Sequence, residues 1–304
     1  MKLAEIREKV GRRLANAILR VSGSSTLYSA PGHFYSPIVN PREAIVYATR
    51  ITAVDQKGSD RPKIDQAILG RTFQQLSAHF QKISDFLGVG ETARYSNSSS
   101  YFNFGDAYIY SAFICELKPK LIIEVGCGFS SACALDTTER LGIDTKFVFI
   151  EPNPDRLYKL LSPIDRTRSR ILEMPVQDVG FDVFAELDAG DILFLDTTHI
   201  CKTGSDVNHE LFHILPRLKA GVLIHFHDIF DSWEYPLEWI GEQNRSWNEI
   251  YALRAFLMFN TEFEIVYFND FMWRHHRQEI EQTPLGSVLC SINGAGSGLY
   301  LRRR

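Results

Sequence analysis

From about residue 120 onward, apolar runs of strand length alternate with stretches of helical spacing. LIIEVG (121–126), KFVFIEP (146–152), SRILEMPV (169–176), DILFLD (191–196) and GVLIHFHD (221–228) read as strands, as do EIVYFND (264–270) and GLYLRR (298–303) further on. Between them, helical spacing predicts helices from about Asp106 to Leu117, over FSSACALDTTERLG (129–142), near Asp155 to Leu161, through Leu211 to Leu218, and near Trp247 to Phe259. Apolar runs without strict alternation, interleaved with helices, predict a largely parallel sheet covered on both faces. Such sheets bind ligands beyond the carboxyl ends of their strands, where the strand order reverses.

The first 94 residues have a different texture. Leu3, Ile6, Val10, Leu14 and Ile18 recur at helical spacing on a basic segment, predicting an amphipathic helix that packs on its own domain or on a second copy in a homodimer. A loop rich in Ser, Pro, Gly and Tyr follows, with Tyr28, His33, Phe34 and Tyr35 as lid candidates, then a helical stretch around Lys63 to Leu87. Tyr95 to Ser100 reads as a linker. The expected division is a helical and loop extension over 1–94, supplying lid, substrate or dimer contacts, and a sheet-bearing domain over 95–304.

Composition narrows the class. Apolar residues make 45% of the 304 and charged residues 23%, an ordinary globular balance. No apolar run is long enough to span a bilayer. A net charge of -4 argues against a general nucleic-acid binder, which must neutralise phosphates. Five scattered cysteines with no CxxC pair form neither a disulfide framework nor a zinc ribbon. With no uninterrupted apolar stretch near the N-terminus to act as a secretory signal, a cytoplasmic location is expected.

The strand ends carry the chemistry. The first ends in Glu124-Val125-Gly126-Cys127-Gly128-Phe129-Ser130-Ser131. Gly126 and Gly128 permit a tight turn and close approach of backbone to ligand, but Ser131 replaces the third glycine of the dinucleotide pattern and no Lys-Ser/Thr pair makes a phosphate loop. Glu124 would repel a pyrophosphate and suits an ammonium. Glu151, ending the second strand, can accept from both hydroxyls of a ribose. Gln177 and Asp178 follow the third strand, where Asp178 can reach an adenine amino group. Asp196 ends the fourth. Four strand-end carboxylates describe a site for adenosine with a cationic tail, and fit NAD poorly.

EVGCGFSS, FIEPNPDRL, VQDV, DILFLDTTH and IHFHDIF, taken in order, resemble the motif series of class I S-adenosylmethionine-dependent methyltransferases, over roughly residues 95 to 304. More narrowly they resemble a bacterial group associated with natural-product and surface-glycan gene clusters. The resemblance implies a Rossmann-like α/β fold: a seven-stranded, mostly parallel sheet with helices on both faces, an antiparallel seventh strand and the N-terminal extension. It implies that Glu124, Gly126, Cys127, Gly128 and Ser130 frame the methionine moiety, Glu151 the ribose, and Gln177 and Asp178 the adenine, with Asp196 beside them. Cys127 stands where Ser or Thr is also frequent in such loops.

Methyl transfer requires an acceptor held in line with the methyl group and, for a hydroxyl, removal of a proton. In Asp196-x-x-His199 the ring lies just past a strand end, and an imidazole pKa of ~6.5 suits a general base. In His225-x-His227-Asp228 both rings share one strand face. Asp196, His227 and Asp228, with His199 nearby, form an alternative divalent-metal site. Magnesium prefers oxygen ligands, and imidazoles favour zinc, iron or manganese. The expected activity is O-methylation of a small-molecule or glycan acceptor. The alternatives are a metal-dependent oxygenase on the same scaffold, motivated by His225, His227 and Asp228, and a non-catalytic methyltransferase-like binding protein. The aromatic segment Asp231 to Trp239 is a further candidate cap over the acceptor, and Lys202 and Asp206 are candidates to face the pocket.

Overall fold

The computed structural model describes residues 28–53, 61–90, 93–96, 101–292 and 294–304. Seven strands form one sheet: β1 (Leu121–Val125), β2 (Lys146–Ile150), β3 (Ser169–Leu172), β4 (Ile192–Leu195), β5 (Leu223–Phe226), β6 (Phe263–Phe268) and β7 (Leu299–Arg303). Their order is β3-β2-β1-β4-β5-β7-β6. β1 lies parallel between β2 and β4, and β7 runs antiparallel between β5 and β6. Every residue of β1, β4 and β5 is buried, which is why these strands read as unbroken apolar runs. The two polar interruptions, Glu124 and His225, are fully buried as well.

The strand order reverses between β1 and β4. Right-handed crossovers then send the connections of the two halves to opposite faces and leave a crevice at the carboxyl ends of β1 and β4. The helix Phe129–Leu141 leaves β1 through the glycine loop and ends at Gly142, whose φ of 64° is left-handed. It packs against Phe104–Leu117, a helix buried from Gly105 through Cys115. Asn103 caps that helix by accepting from the amides of Gly105 and Asp106, so it begins two residues before the expected Asp106.

Other boundaries moved for identifiable reasons. The helix expected through Leu211 to Leu218 becomes an α-turn (Asp206–His209), a π-turn (Glu210–Ile214) and a 3-10 turn (Leu215–Arg217). Pro216 has no amide hydrogen to donate, and its ring clashes with the preceding turn. The single helical stretch around Lys63 to Leu87 divides into Gln66–Ser77, capped by Asp65, and Phe80–Ser84. The strand expected over 264–270 stops at Phe268, and three helices not expected from the sequence connect it to β7: Asn269–His275, Arg277–Glu281 and Pro284–Ile292.

Tyr95 is core rather than linker. It is 1% exposed and its hydroxyl donates to the Phe102 carbonyl at 3.0 Å. Beside it Arg94 grips Asp165 with two 2.8 Å bonds, Asp136 with a third, and Glu139 at 2.7 Å.

The described chain forms two compact units. The sheet belongs to the one that includes 61–234 and 248–304, and the helices Gln66–Ser77 and Phe80–Ser84 are part of it. The other combines 28–53 with 235–247. There the helix Pro41–Ala53 packs on Leu237–Gly241. The Arg245 guanidinium lies over Trp239 and Trp247, 4.2 and 4.4 Å from their ring centres. Tyr28, Phe34 and Tyr35 are 91%, 82% and 65% exposed. The expected amphipathic helix over Leu3 to Ile18 lies outside the described residues.

Candidate active site

The crevice is built around Gly126. Its φ is 79°, and a Cβ there would stand 1.7 Å from the carbonyl oxygen of Asp196. Only glycine lets the turn after β1 lie against the end of β4. Asp196 donates its amide to Val125 across the same junction at 3.0 Å. Gly126, Cys127, Gly128, Ser130, Glu151 and Asp196 thereby line one cleft. Glu151 accepts from the amides of Cys127 at 3.2 Å and Asn153 at 2.8 Å, which fixes its carboxylate at the rim of the glycine loop.

Glu124 lies beneath the loop and does not line that cleft. Its two oxygens are engaged by the hydroxyls of Tyr110, at 3.0 Å, and Ser131. Burial pushes its pKa up to about 7, against the opposing effect of those two hydrogen bonds. Cys127 is buried, its thiol directed at the carbonyls of Glu124 and Ile150, and burial raises its pKa well above the usual range, so the thiol is inert. Gln177 donates to the Gly204 carbonyl at 2.8 Å, and Asp178 is exposed; neither lines the glycine-loop cleft.

Beyond Asp196 the chain turns sharply through His199, whose φ is 58°, and Asp228 past β5 has a φ of 57°. Left-handed backbone at two non-glycine residues is strain that the surrounding contacts must hold. His199 is 3% exposed. Its Nδ1 donates to Glu249 at 2.7 Å, and its Nε2 faces Asp196 Oδ1 at 3.4 Å and Asp228 Oδ2 at 3.6 Å. Burial alone would lower the ring's pKa, but Asp196 and Glu249 outweigh it and hold it well above the ordinary value. Ser297 donates its hydroxyl to Asp228 Oδ1 at 2.9 Å.

Asp196, His199 and Asp228 each offer one ligand atom within 4.8 Å of the others. The carboxylate-to-imidazole separations are too long for good hydrogen bonds. They lie close to the ~3.0–3.4 Å expected between neighbouring ligands held ~2.1 Å from one cation. Glu249 on Nδ1 fixes the tautomer and leaves Nε2 facing the two carboxylates. This donor set fits a divalent cation.

The expected set of Asp196, His227 and Asp228 is therefore rearranged. His199 joins the two aspartates, while His227 stands to one side with Nε2 3.5 Å from Asp228 Oδ1. His225 does not belong to the cluster. It is fully buried, stacked on Phe194 at 4.1 Å, and its pKa is driven well below the ordinary value by burial, so it packs as a neutral aromatic. Part of the expected cap is also core: Trp233 is fully buried, and Asp231 pairs with Arg61 at 3.1 Å and His275 at 2.9 Å. Asp206 is occupied at 2.6 Å by the Thr198 hydroxyl, and Lys202 is exposed.

Sequence reasoning missed Glu249, Ser297, Arg156 and Tyr101. Arg156 carried a faint signal, five residues past Glu151 in the same motif. Nothing local marks Glu249 or Ser297 as partners of residues 50 and 69 positions away.

Residues 123–229 match the family model described as a methyltransferase domain. An uncharacterized protein of Archaeoglobus fulgidus is 30% identical over 170 residues, covering 52% of this chain and 73% of that protein. Among solved structures, the S-adenosylhomocysteine-bound methyltransferase PaMTH1 of Podospora anserina is 15% identical, with 86% of this chain and 96% of that one covered and a TM-score of 0.42. The O-methyltransferase TomG of Streptomyces achromogenes, involved in tomaymycin synthesis and solved with S-adenosylmethionine, is 10% identical, with 87% and 99% covered and a TM-score of 0.38. No helix among the described residues is long and apolar enough to cross a membrane. With the reversed-order sheet, the glycine loop at its switch point and a family match running from β1 through β5, the chain carries a methyltransferase domain of the class I, Rossmann-like fold.

Proposed function

We propose that the enzyme methylates a hydroxyl of a small-molecule or glycan acceptor, with a divalent cation held by Asp196, His199 and Asp228. The observation that carries this reading is the placement of His199 Nε2 3.4 Å from Asp196 and 3.6 Å from Asp228, with Asp196 also lining the glycine-loop cleft. In this reading Gly126, Cys127, Gly128 and Ser130 cradle the methionine part of the cofactor through backbone and small side chains. Glu151 takes the ribose hydroxyls, and Gln177 and Asp178 bound the adenine end. Glu124 props the loop from below.

The cofactor would supply an electrophilic methyl group and leave as S-adenosylhomocysteine, and a divalent cation would favour the ionised form of the acceptor hydroxyl, whose proton passes to solvent water. Asp196 and Asp228 orient the acceptor's oxygen toward the cleft, and Glu249 holds the His199 ring in place. His199 serves here as a ligand rather than the expected general base. A ring hydrogen-bonded to Glu249 and facing two further carboxylates keeps its proton at neutral pH when nothing else binds it. An oxygenase reading would need two imidazoles on one ion, and the described cluster offers one. Of the expected extension over 1–94, the part outside the sheet unit, residues 28–53, is assigned to acceptor or homodimer contacts, supported by the exposed aromatics Tyr28, Phe34 and Tyr35. The scattered reduced cysteines support a cytoplasmic setting, and the motif resemblance supports a natural-product or surface-glycan acceptor.

Calorimetric titration of metal-stripped protein with S-adenosylhomocysteine, and with NAD as control, tests the cofactor assignment; heat from NAD alone would sink it. Manganese titration of wild type and His199→Ala tests the metal centre. Loss of manganese binding with unchanged S-adenosylhomocysteine affinity is expected. A variant that still binds manganese but loses turnover would restore His199 as base.

A further inference from the structure

The glycine-loop cleft contains two carboxylates, Glu151 and Asp196, and one cation, Arg156. Arg156 stands at the start of the helix Asp155–Leu160, directly after β2. Its guanidinium carbon lies 4.3 Å from the centre of the Tyr101 ring, which itself runs parallel to Phe129 at 6.1 Å and 5°. A Cβ on Gly128 would meet Arg156 Cδ at 3.1 Å, so the glycine leaves room for the arginine's stem along the loop. A cation–π contact thus holds the guanidinium over the Tyr101 ring at the lining of the cleft.

S-Adenosylmethionine ends in an amino-acid tail bearing an ammonium and a carboxylate. Glu151 suits the ribose hydroxyls and Asp196 adds a second negative charge beside the glycine loop, so the tail carboxylate would enter a cleft of its own charge unless a cation met it. We propose that Arg156, held by Tyr101, binds the carboxylate of the cofactor's amino-acid tail, alongside the first-turn amides of the helix Phe129–Leu141. The assignment rests on the cofactor reading above. It gives Gly128 a second role, since a methyl group there would press on the arginine's stem at Cδ, 3.1 Å away.

The test compares two ligands in calorimetric titrations: S-adenosylhomocysteine, and its decarboxylated analogue, which keeps the ammonium and lacks the carboxylate. Wild type is expected to bind the first more tightly. Arg156→Gln should lose about tenfold or more in affinity for S-adenosylhomocysteine and less than about twofold for the analogue, and Arg156→Lys should recover part of the loss. Equal losses for both ligands would assign Arg156 to shaping the pocket, and no loss for either would remove it from the site; both overturn the proposal. Wild type that binds neither ligand would overturn the cofactor reading itself, a result read before any variant is made. Thermal melts of both variants separate a binding defect from misfolding.

Discussion

The hydroxyl of Ser297 donates to Asp228 Oδ1 at 2.9 Å and leaves Oδ2 as the oxygen facing His199. The serine is itself fixed. Its amide and that of Gly298 donate to the fully buried Asp106 at 2.8 and 3.0 Å, and its carbonyl accepts from Ile229 at 2.8 Å. A loop from the far end of the sheet unit thus sets the rotation of the Asp228 carboxylate. Ser297→Ala is expected to weaken manganese affinity about tenfold, in the range usual for residues that orient ligands. S-Adenosylhomocysteine affinity in chelator should not change. Equal manganese affinity in wild type and variant would separate Ser297 from the cluster.

Glu124 gives stability a pH dependence of defined sign. Burial raises its pKa from 4.5 to about 7, so between those values the folded state holds a proton that the unfolded chain has released. Stability contributed by this group therefore falls as pH rises from about 4.5 to about 7, and is level above that. Glu124→Gln, which keeps one acceptor oxygen, turns the other position into an NH2 donor and cannot ionise, should remove that slope, a differential on the order of 3 kcal/mol across the window. Melting temperatures of both proteins between these pH values measure it, and parallel curves would count against the buried-proton account.

Gly126→Ala joins a left-handed φ to a 1.7 Å approach to the Asp196 carbonyl. The turn after β1 and the end of β4 must separate to admit the methyl group. A loss of about 3 kcal/mol in stability is expected, with cofactor affinity abolished, since strain and overpacking act together. Chemical denaturation followed by titration of the folded fraction would detect both; wild-type affinity would show that the junction is not the binding loop.

Arg94→Ala leaves Asp136 and Asp165, 8% and 6% exposed, without their shared cation. Removing one partner of a largely buried ion network costs about 3 kcal/mol, more than any exposed pair on this surface. Urea denaturation of the variant reads this directly. A change below about 0.5 kcal/mol, typical of surface positions, would mean the network is solvated.

The strands were legible because the central ones are buried on both faces, so each appears as an unbroken apolar run. The glycine loop, Glu151 and Asp196 were legible because strand ends at a reversal of order are where such sheets bind ligands. What stayed hidden depends on contacts distant in sequence. Tyr95 looks like the start of a polar linker, and Arg94 like the end of the extension before it, until Asp136 and Asp165 arrive from other elements. His225 and His227 look equivalent in sequence, yet one is stacked on Phe194 and the other stands beside Asp228. The broken helix after Asp206 was detectable in principle from Pro216, whereas the π-turn over Glu210–Ile214 was not.

β7 pairs with β5 across more than seventy positions of chain, and it follows both of its neighbours in sequence. β1 and β4 pair across almost the same separation, so loop closure does not order the two; synthesis does, because it runs from the N-terminus and delivers β7 after the other six strands. During synthesis β1, β2 and β4, with the glycine loop, are therefore expected to gain protection before β7 docks, and pulse-labelled amide exchange on nascent chains would show β1 unprotected until β7 is present if that order is wrong. Ser297 stands two residues ahead of β7 and arrives with it. A molecule caught before that step would have the crevice that receives the cofactor but an unrotated Asp228, so the capacity to bind would mature ahead of the capacity to react.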